Sequence, residues 1–135
     1  MSSWPPVSAL RIDRLTGGAP RVLVREDGTP LLLRCHVARR PLARAVGLLF
    51  TPRLASGEGV WLEPCASVHA LGLRVRIGCA FLDAHGRVLR VQDPLRRGRV
   101  AAARGARVTV EAPAGALAGL RPGDRLRLAD PASGG

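Results

Sequence analysis

Four polar residues stand at alternate positions, Glu63, Cys65, Ser67 and His69, immediately upstream of an eleven-residue apolar alternation from Leu71 to Phe81. A carboxylate, a thiol, a hydroxyl and an imidazole are the groups that accept protons, attack carbonyls or hold metals. With Arg44 they make the candidate pocket of this chain: Arg44, Glu63, Cys65, Ser67 and His69. Catalysis needs these groups to touch, and their spacing works against it. Residues four apart on an extended strand are roughly 13 Å apart, so Cys65 and His69 form a thiolate–imidazole pair or share a metal only if the backbone turns between them. The pocket is therefore expected to bind rather than to catalyse.

The remaining soft ligands do not complete a metal set. Cys35 and His36 are neighbours on an apolar segment and point to opposite faces of a strand. Cys79 falls on the apolar parity of Leu71–Phe81 and reads as a small hydrophobe. No Cys-x-x-Cys pair marks a structural zinc site, and no glycine-rich phosphate loop or Gly-x-Ser-x-Gly elbow is present. No cofactor and no catalytic residue are assigned. Among the ten acids, Asp27, Asp83, Asp93 and Asp124 sit beside Gly or Pro or inside turn signatures and read as turn-formers. Glu63 and Glu111 are the acids placed inside strand patterns, and no spacing rule brings them together. His85 reads as a surface turn residue.

The elements that must position these groups are short. In Leu71, Leu73, Val75, Ile77, Cys79 and Phe81 the period is two, a strand with one face on a core. Arg21–Arg25 and Leu31–Val37 flank Glu26-Asp27-Gly28-Thr29, a hairpin signal because Asp-Gly supplies the positive φ of a tight turn. Further strands are expected at Val60–Glu63, Arg87–Val91, Val108–Ala112 and Arg125–Leu128, with a weak segment at Leu10–Leu15. Asp93-Pro94 is expected to break the strand after Val91. Leu42, Ala45, Val46 and Leu49 recur at helical spacing behind Pro41, and Pro113–Gly119 reads as one helical turn. Turns are expected at Asp83–Gly86 and Arg121–Asp124. The expected fold is α+β, mainly antiparallel β: a small barrel-like sheet of about seven short strands with one or two short helices, closure removing exposed edges. One domain is expected over residues 9–129, with loose tails at 1–8 and 130–135.

Composition narrows the partners. The chain has 135 residues, 47% hydrophobic but only 3% aromatic, so its core rests on Leu, Val and Ala. All 21 basic residues are Arg, and the net charge is +11. Arg without Lys, beside abundant Ala, Gly and Pro, fits a GC-rich coding bias. The rival reading is phosphate recognition, since guanidinium pairs bidentately with phosphate. The Arg residues are scattered, however, and the densest patch, Arg96, Arg97, Arg99, Arg104 and Arg107, lacks the aromatic platforms of single-strand binders. Nucleic acid is not the expected partner. The N-terminal residues lack the basic and apolar regions of a signal peptide, and no apolar run nears the roughly 20 residues of a membrane helix. Three cysteines do not close a disulfide set. A cytoplasmic protein without membrane insertion is expected.

From Leu42 onward the chain resembles the DUF192 family. The matching segments are Arg44-Ala-Val-Gly47-Leu-Leu and Gly57-Glu-Gly-Val-Trp61-Leu-Glu-Pro-Cys65-Ala-Ser67-Val-His69. They continue through Phe81-Leu-Asp83-Ala-His-Gly86-Arg-Val-Leu, Val110-Glu-Ala-Pro-Ala-Gly115 and Leu120-Arg-Pro-Gly123-Asp124. The resemblance implies a small strand-rich α+β domain and no settled activity. Where the family commonly has Pro-Ile-Asp or Pro-Leu-Asp, this chain reads Arg76-Ile77-Gly78, and the family proline implies a bend within Leu71–Phe81. The expected function is a noncatalytic binding or accessory module for a protein or small-molecule partner. The alternatives are a small enzyme or metal site at Cys65 and His69, and Arg-mediated nucleic-acid binding.

Overall fold

The computed structural model describes residues 19–39, 54–64, 67–69, 77–95 and 100–131, with 67–69 and 100 described by backbone alone. Nine strands fall within them: β1 (Arg21–Arg25), β2 (Pro30–Ala38), β3 (Glu58–Leu62), β4 (Ser67–His69), β5 (Ile77–Leu82), β6 (Val88–Leu95), β7 (Val100–Ala102), β8 (Val108–Pro113) and β9 (Leu126–Ala129). Seven form one sheet in the order β6-β5-β8-β3-β2-β1-β9, and β4 pairs with β7 in a two-stranded ribbon.

The first hairpin forms where Asp27-Gly28 predicts it. Gly28 adopts φ +89°, and the Asp27 carboxylate accepts from the Thr29 amide at 2.9 Å and its hydroxyl at 2.6 Å. The same logic turns the chain at Gly86 and Gly123, with φ +81° and +98°. Asp83 accepts from the amides of His85 and Arg87, and Asp124 from that of Arg121. These three acids are the turn-formers expected of them.

The expected α+β barrel is corrected on three counts. Among the described residues there is no helix: after β8 ends at Pro113, residues 114–119 run as successive turns, because Gly115 at φ +95° interrupts the right-handed run expected over Pro113–Gly119. The Pro41–Leu49 helix, the Leu10–Leu15 segment and the Leu71–Val75 half of the long alternation lie outside the described residues. The sheet is mixed, since β2 and β3 run parallel, which the chain achieves through the long connection over 39–57. The sheet is also open rather than a closed barrel. Among the described residues its two edge strands meet at one corner, through the Arg87–Arg125 bridge and bonds such as Val88 N–H to Asp124 O at 2.7 Å.

Each sheet face carries a core. Leu23, Leu32, Cys35, Trp61, Leu82 and Val110 belong to the larger cluster, which Leu117 and Leu120 close from the turns after β8. Ile77, Cys79, Phe81 and Leu95 build the smaller one with Ala101 of β7. The ribbon β4–β7 thus lies against the second face, and Arg90 fastens it by donating to the Ala102 carbonyl at 2.8 Å. Covering both faces corrects the one-sided reading of the alternation: all six residues of β5 are buried, Gly78 and Ala80 included.

One strand end also differs. β6 continues through Asp93-Pro94 to Leu95, so the pair does not break it. Pro tolerates this position because β6 is an edge strand. Asp93 forms no local turn; its carboxylate reaches over Gly78 to accept from the amides of Gly115 (2.8 Å) and Leu117 (2.9 Å). A Cβ on Gly78 would lie 2.6 Å from both Asp93 carboxylate oxygens. We expect Gly78→Ala to push this clamp off its two amides and cost about 1–3 kcal/mol in urea denaturation. Asp93→Ala should cost a similar amount. The double variant should cost no more than the worse single, because both act through one clamp.

Candidate functional site

Of the five pocket candidates, the side chain of Glu63 lies among the described residues. Ser67 and His69 are placed by their backbone on β4, at register positions opposite Ala102 and Val100 of β7. Arg44 and Cys65 lie outside the described residues.

Glu63 follows β3 directly, and its amide extends the parallel ladder by donating to Ala38 O at 3.1 Å. Its carboxylate is held from two sides through one oxygen. The Trp61 indole N–H donates to Oε1 at 3.0 Å, and the Arg39 Nε stands 3.5 Å from the same oxygen. Trp61 is itself anchored in the larger core, so this donor is rigid. The Glu63 side chain is 27% exposed, within reach of solvent. The result is a carboxylate fixed through Oε1, with Oε2 an oriented acceptor that has no partner among the described residues. Sequence reading found Glu63 but not its supports. A Trp and a Glu two apart on one strand parity, as at positions 61 and 63, are the signal for such a pair.

A second group of ionisable side chains crosses the opposite face. His36, Val60, Glu111 and Cys79 stand side by side in register on β2, β3, β8 and β5. His36 Nε2 lies 3.0 Å from Glu58 Oε2, and Glu58 Oε1 accepts from the Ala55 amide at 3.0 Å. This buried pair was missed, because Glu58 reads in sequence as part of a Ser-Gly-Glu-Gly loop. The structure instead begins β3 at Glu58.

Glu111 is the extreme case. It is fully buried between Val60 and Cys79, and neither carboxylate oxygen has a hydrogen-bond partner among the described residues. Burial pushes its carboxyl well above the ordinary 4.5, so it persists as a neutral acid where exposed carboxylates are charged. Glu63 lies with Trp61 on the other face, so the two strand acids do not form an acid–base pair.

Cysteine chemistry is constrained by the same burial. Cys35 and His36 do point to opposite faces, as alternation requires. The Cys35 thiol sits in the larger core, and burial pushes it up to about 12. Cys79 is packed among Ile77 and Phe81, the small-hydrophobe role expected of it. Among the described residues, no three His, Cys, Asp or Glu side chains converge as a metal set. Arg104 and Arg107 of the basic patch are exposed, while Arg96, Arg97 and Arg99 lie outside the described residues. Among the described residues no helix is long and apolar enough to cross a membrane.

The raised carboxyl of Glu111 sets a pH dependence. The folded state holds a proton that the unfolded chain releases near 4.5, so stability is greatest below that value. It then falls as pH rises towards the folded value, by up to about 1.4 kcal/mol per pH unit. Glu111→Gln removes the titration. In urea denaturation at about pH 5 and about pH 8, the variant should lose less stability between the two than the native chain. An equal loss in both would contradict the assignment.

The fold and family can now be set beside known proteins. Residues 22–128 match the family DUF192, described as Uncharacterized ACR. No curated protein matches the chain. One similar structure is that of a Sinorhizobium meliloti protein described as a "putative transcription regulator". It is 20% identical, with a TM-score of 0.70 over 82% of this chain and 94% of that one. Another is a protein of unknown function from Novosphingobium aromaticivorans, 22% identical, with a TM-score of 0.68 over 80% and 83% of the two chains. At such identities these structures establish the shared fold. The family match spans most of the chain and both cores of the sheet: the protein belongs to the DUF192 family.

Proposed function

We propose that this domain is a noncatalytic binding or accessory module that takes a small polar ligand or a partner's polar group beside the end of β3. Glu63 is its principal acceptor. Ser67 and His69 follow within a few residues, and Arg44 and Cys65 complete the pocket. The observation that carries this reading is the fixed carboxylate of Glu63, held through Oε1 by Trp61 and Arg39, with no partner on Oε2 among the described residues. An acceptor fixed before the ligand arrives loses little freedom on binding, which is how a shallow site gains affinity. Its complement is a ligand bearing N–H donors, such as an amine or a guanidine, because charge-assisted bonds to a carboxylate are the strong ones.

Ligand-observed NMR with a panel of small amines, guanidines and other polar compounds tests the proposal. Glu63→Gln keeps an oxygen for Trp61 but replaces the charged acceptor. At least one compound should bind the native chain and bind the variant about tenfold more weakly, the scale of one charged hydrogen bond. His69→Ala should weaken the same compound. The proposal fails if no compound binds, or if every binder is indifferent to Glu63→Gln in a variant with native melting behaviour.

A further inference from the structure

A recess of about 270 Å³ opens at the corner where the two ends of the sheet meet, lined by Arg25, Glu26, Asp27, Gly123, Asp124 and Arg125. It lies at the far end of β2 from Glu63, about 25 Å along the strand. The first hairpin turn forms one wall and the turn before β9 the other. Both walls are held by their own hydrogen bonds: Gly28 N–H to Arg25 O at 2.9 Å, Asp124 N–H to Arg121 O at 3.0 Å, and Gly123 N–H to Val88 O at 2.8 Å.

The charges in this recess are only partly engaged. Asp27 uses Oδ1 on Thr29, and Asp124 uses Oδ2 on the Arg121 amide, leaving one oxygen of each. Hydrogen bonding to Thr29 holds the Asp27 carboxyl below its usual range, so it is charged. Among the described residues, neither Arg25 nor Arg125 makes an ion pair, although three carboxylates line the same space. Arg25 is near enough to Asp27 to help hold its carboxyl down, yet the two guanidinium groups and three carboxylates form no ion pair within 4.0 Å among the described residues. A simple anion would meet three carboxylates, and a simple cation would meet two guanidinium groups. The complement to both is one molecule carrying both signs.

We propose that this recess binds a small zwitterion of the α-amino-acid class, its carboxylate between Arg25 and Arg125 and its ammonium on Glu26 and Asp124. Arg is suited to the carboxylate because its planar fork matches two oxygens. The volume accommodates a small polar side chain. The walls are exposed to water, so the affinity belongs in the millimolar range, about 4 kcal/mol.

Amide NMR titration with L-serine, acetate and methylammonium tests this site. L-serine should produce saturable shifts at residues 25–28 and 123–126 with a Kd of about a millimolar, and each one-charge probe should bind about tenfold more weakly. Arg125→Gln, a change at an exposed side chain, should weaken L-serine at least about fivefold, whereas Arg104→Gln, at an exposed arginine outside the recess, should leave the shifts at residues 25–28 and 123–126 unchanged. Lack of saturation, acetate binding as well as L-serine, or indifference to Arg125→Gln would each overturn the proposal. None of these outcomes bears on the amine site at Glu63.

Discussion

Strands β3, β5 and β8 are sealed on both faces, and the arrangement of the molecule depends on that double burial. All six residues of β5, all five of β3 and five of the six in β8 are buried. A strand in that position has no solvent face on which to place its polar side chains. Each polar group must find a partner, lose its charge or be replaced by something small. His36 and Glu58 find each other. Glu111 loses its charge. Gly59 and Gly78 are small because the space beside them is taken: a Cβ on Gly59 would lie 2.6 Å from the Glu111 carbonyl oxygen.

The same crowding explains how the chain departs from its family at position 78. The resemblance leads one to expect an acid there, and glycine stands in its place. The carboxylate of Asp93, from the neighbouring strand, occupies the volume that a side chain at 78 would fill, and binds two amides of the turns after β8. This half-buried carboxylate satisfies two backbone N–H groups that the turns would otherwise leave without a partner inside the protein. Those turns carry Leu117 and Leu120 into the larger core. One acid thereby joins the edge strand to the cap of the main core.

Charge plays a smaller part in the fold than the composition suggests. Arg21 pairs with Asp130 at 3.3 Å, but the Asp130 side chain is 88% exposed, and such surface pairs contribute little. Where charge is organised, it is organised locally. Arg39 steadies Glu63, Arg90 fastens the β4–β7 ribbon to the sheet, and Arg25 and Arg125 face one recess. Each of these depends on which strands are neighbours rather than on the total of +11.

Local signals in the sequence determined the local elements. Asp-Gly and its relatives placed the turns at 26–29, 83–86 and 121–124, because left-handed φ and side-chain capping act within four residues. Alternation placed most strands and set Cys35 against His36. Three-residue strands such as β4 and β7 are too short to show a period, and they went unseen. The tertiary structure alone decided that β2 and β3 run parallel, that the sheet stays open, and that both faces of β5 are covered. These outcomes depend on strand pairs far apart in the chain, and no local pattern encodes which strand lies next to which. The site divides the same way. Glu63 was legible as an unusual acid between strand and pocket. Its grip by Trp61 and Arg39, and the isolation of Glu111 on the opposite face, arise only when β2, β3 and β8 are laid side by side and water is excluded between them.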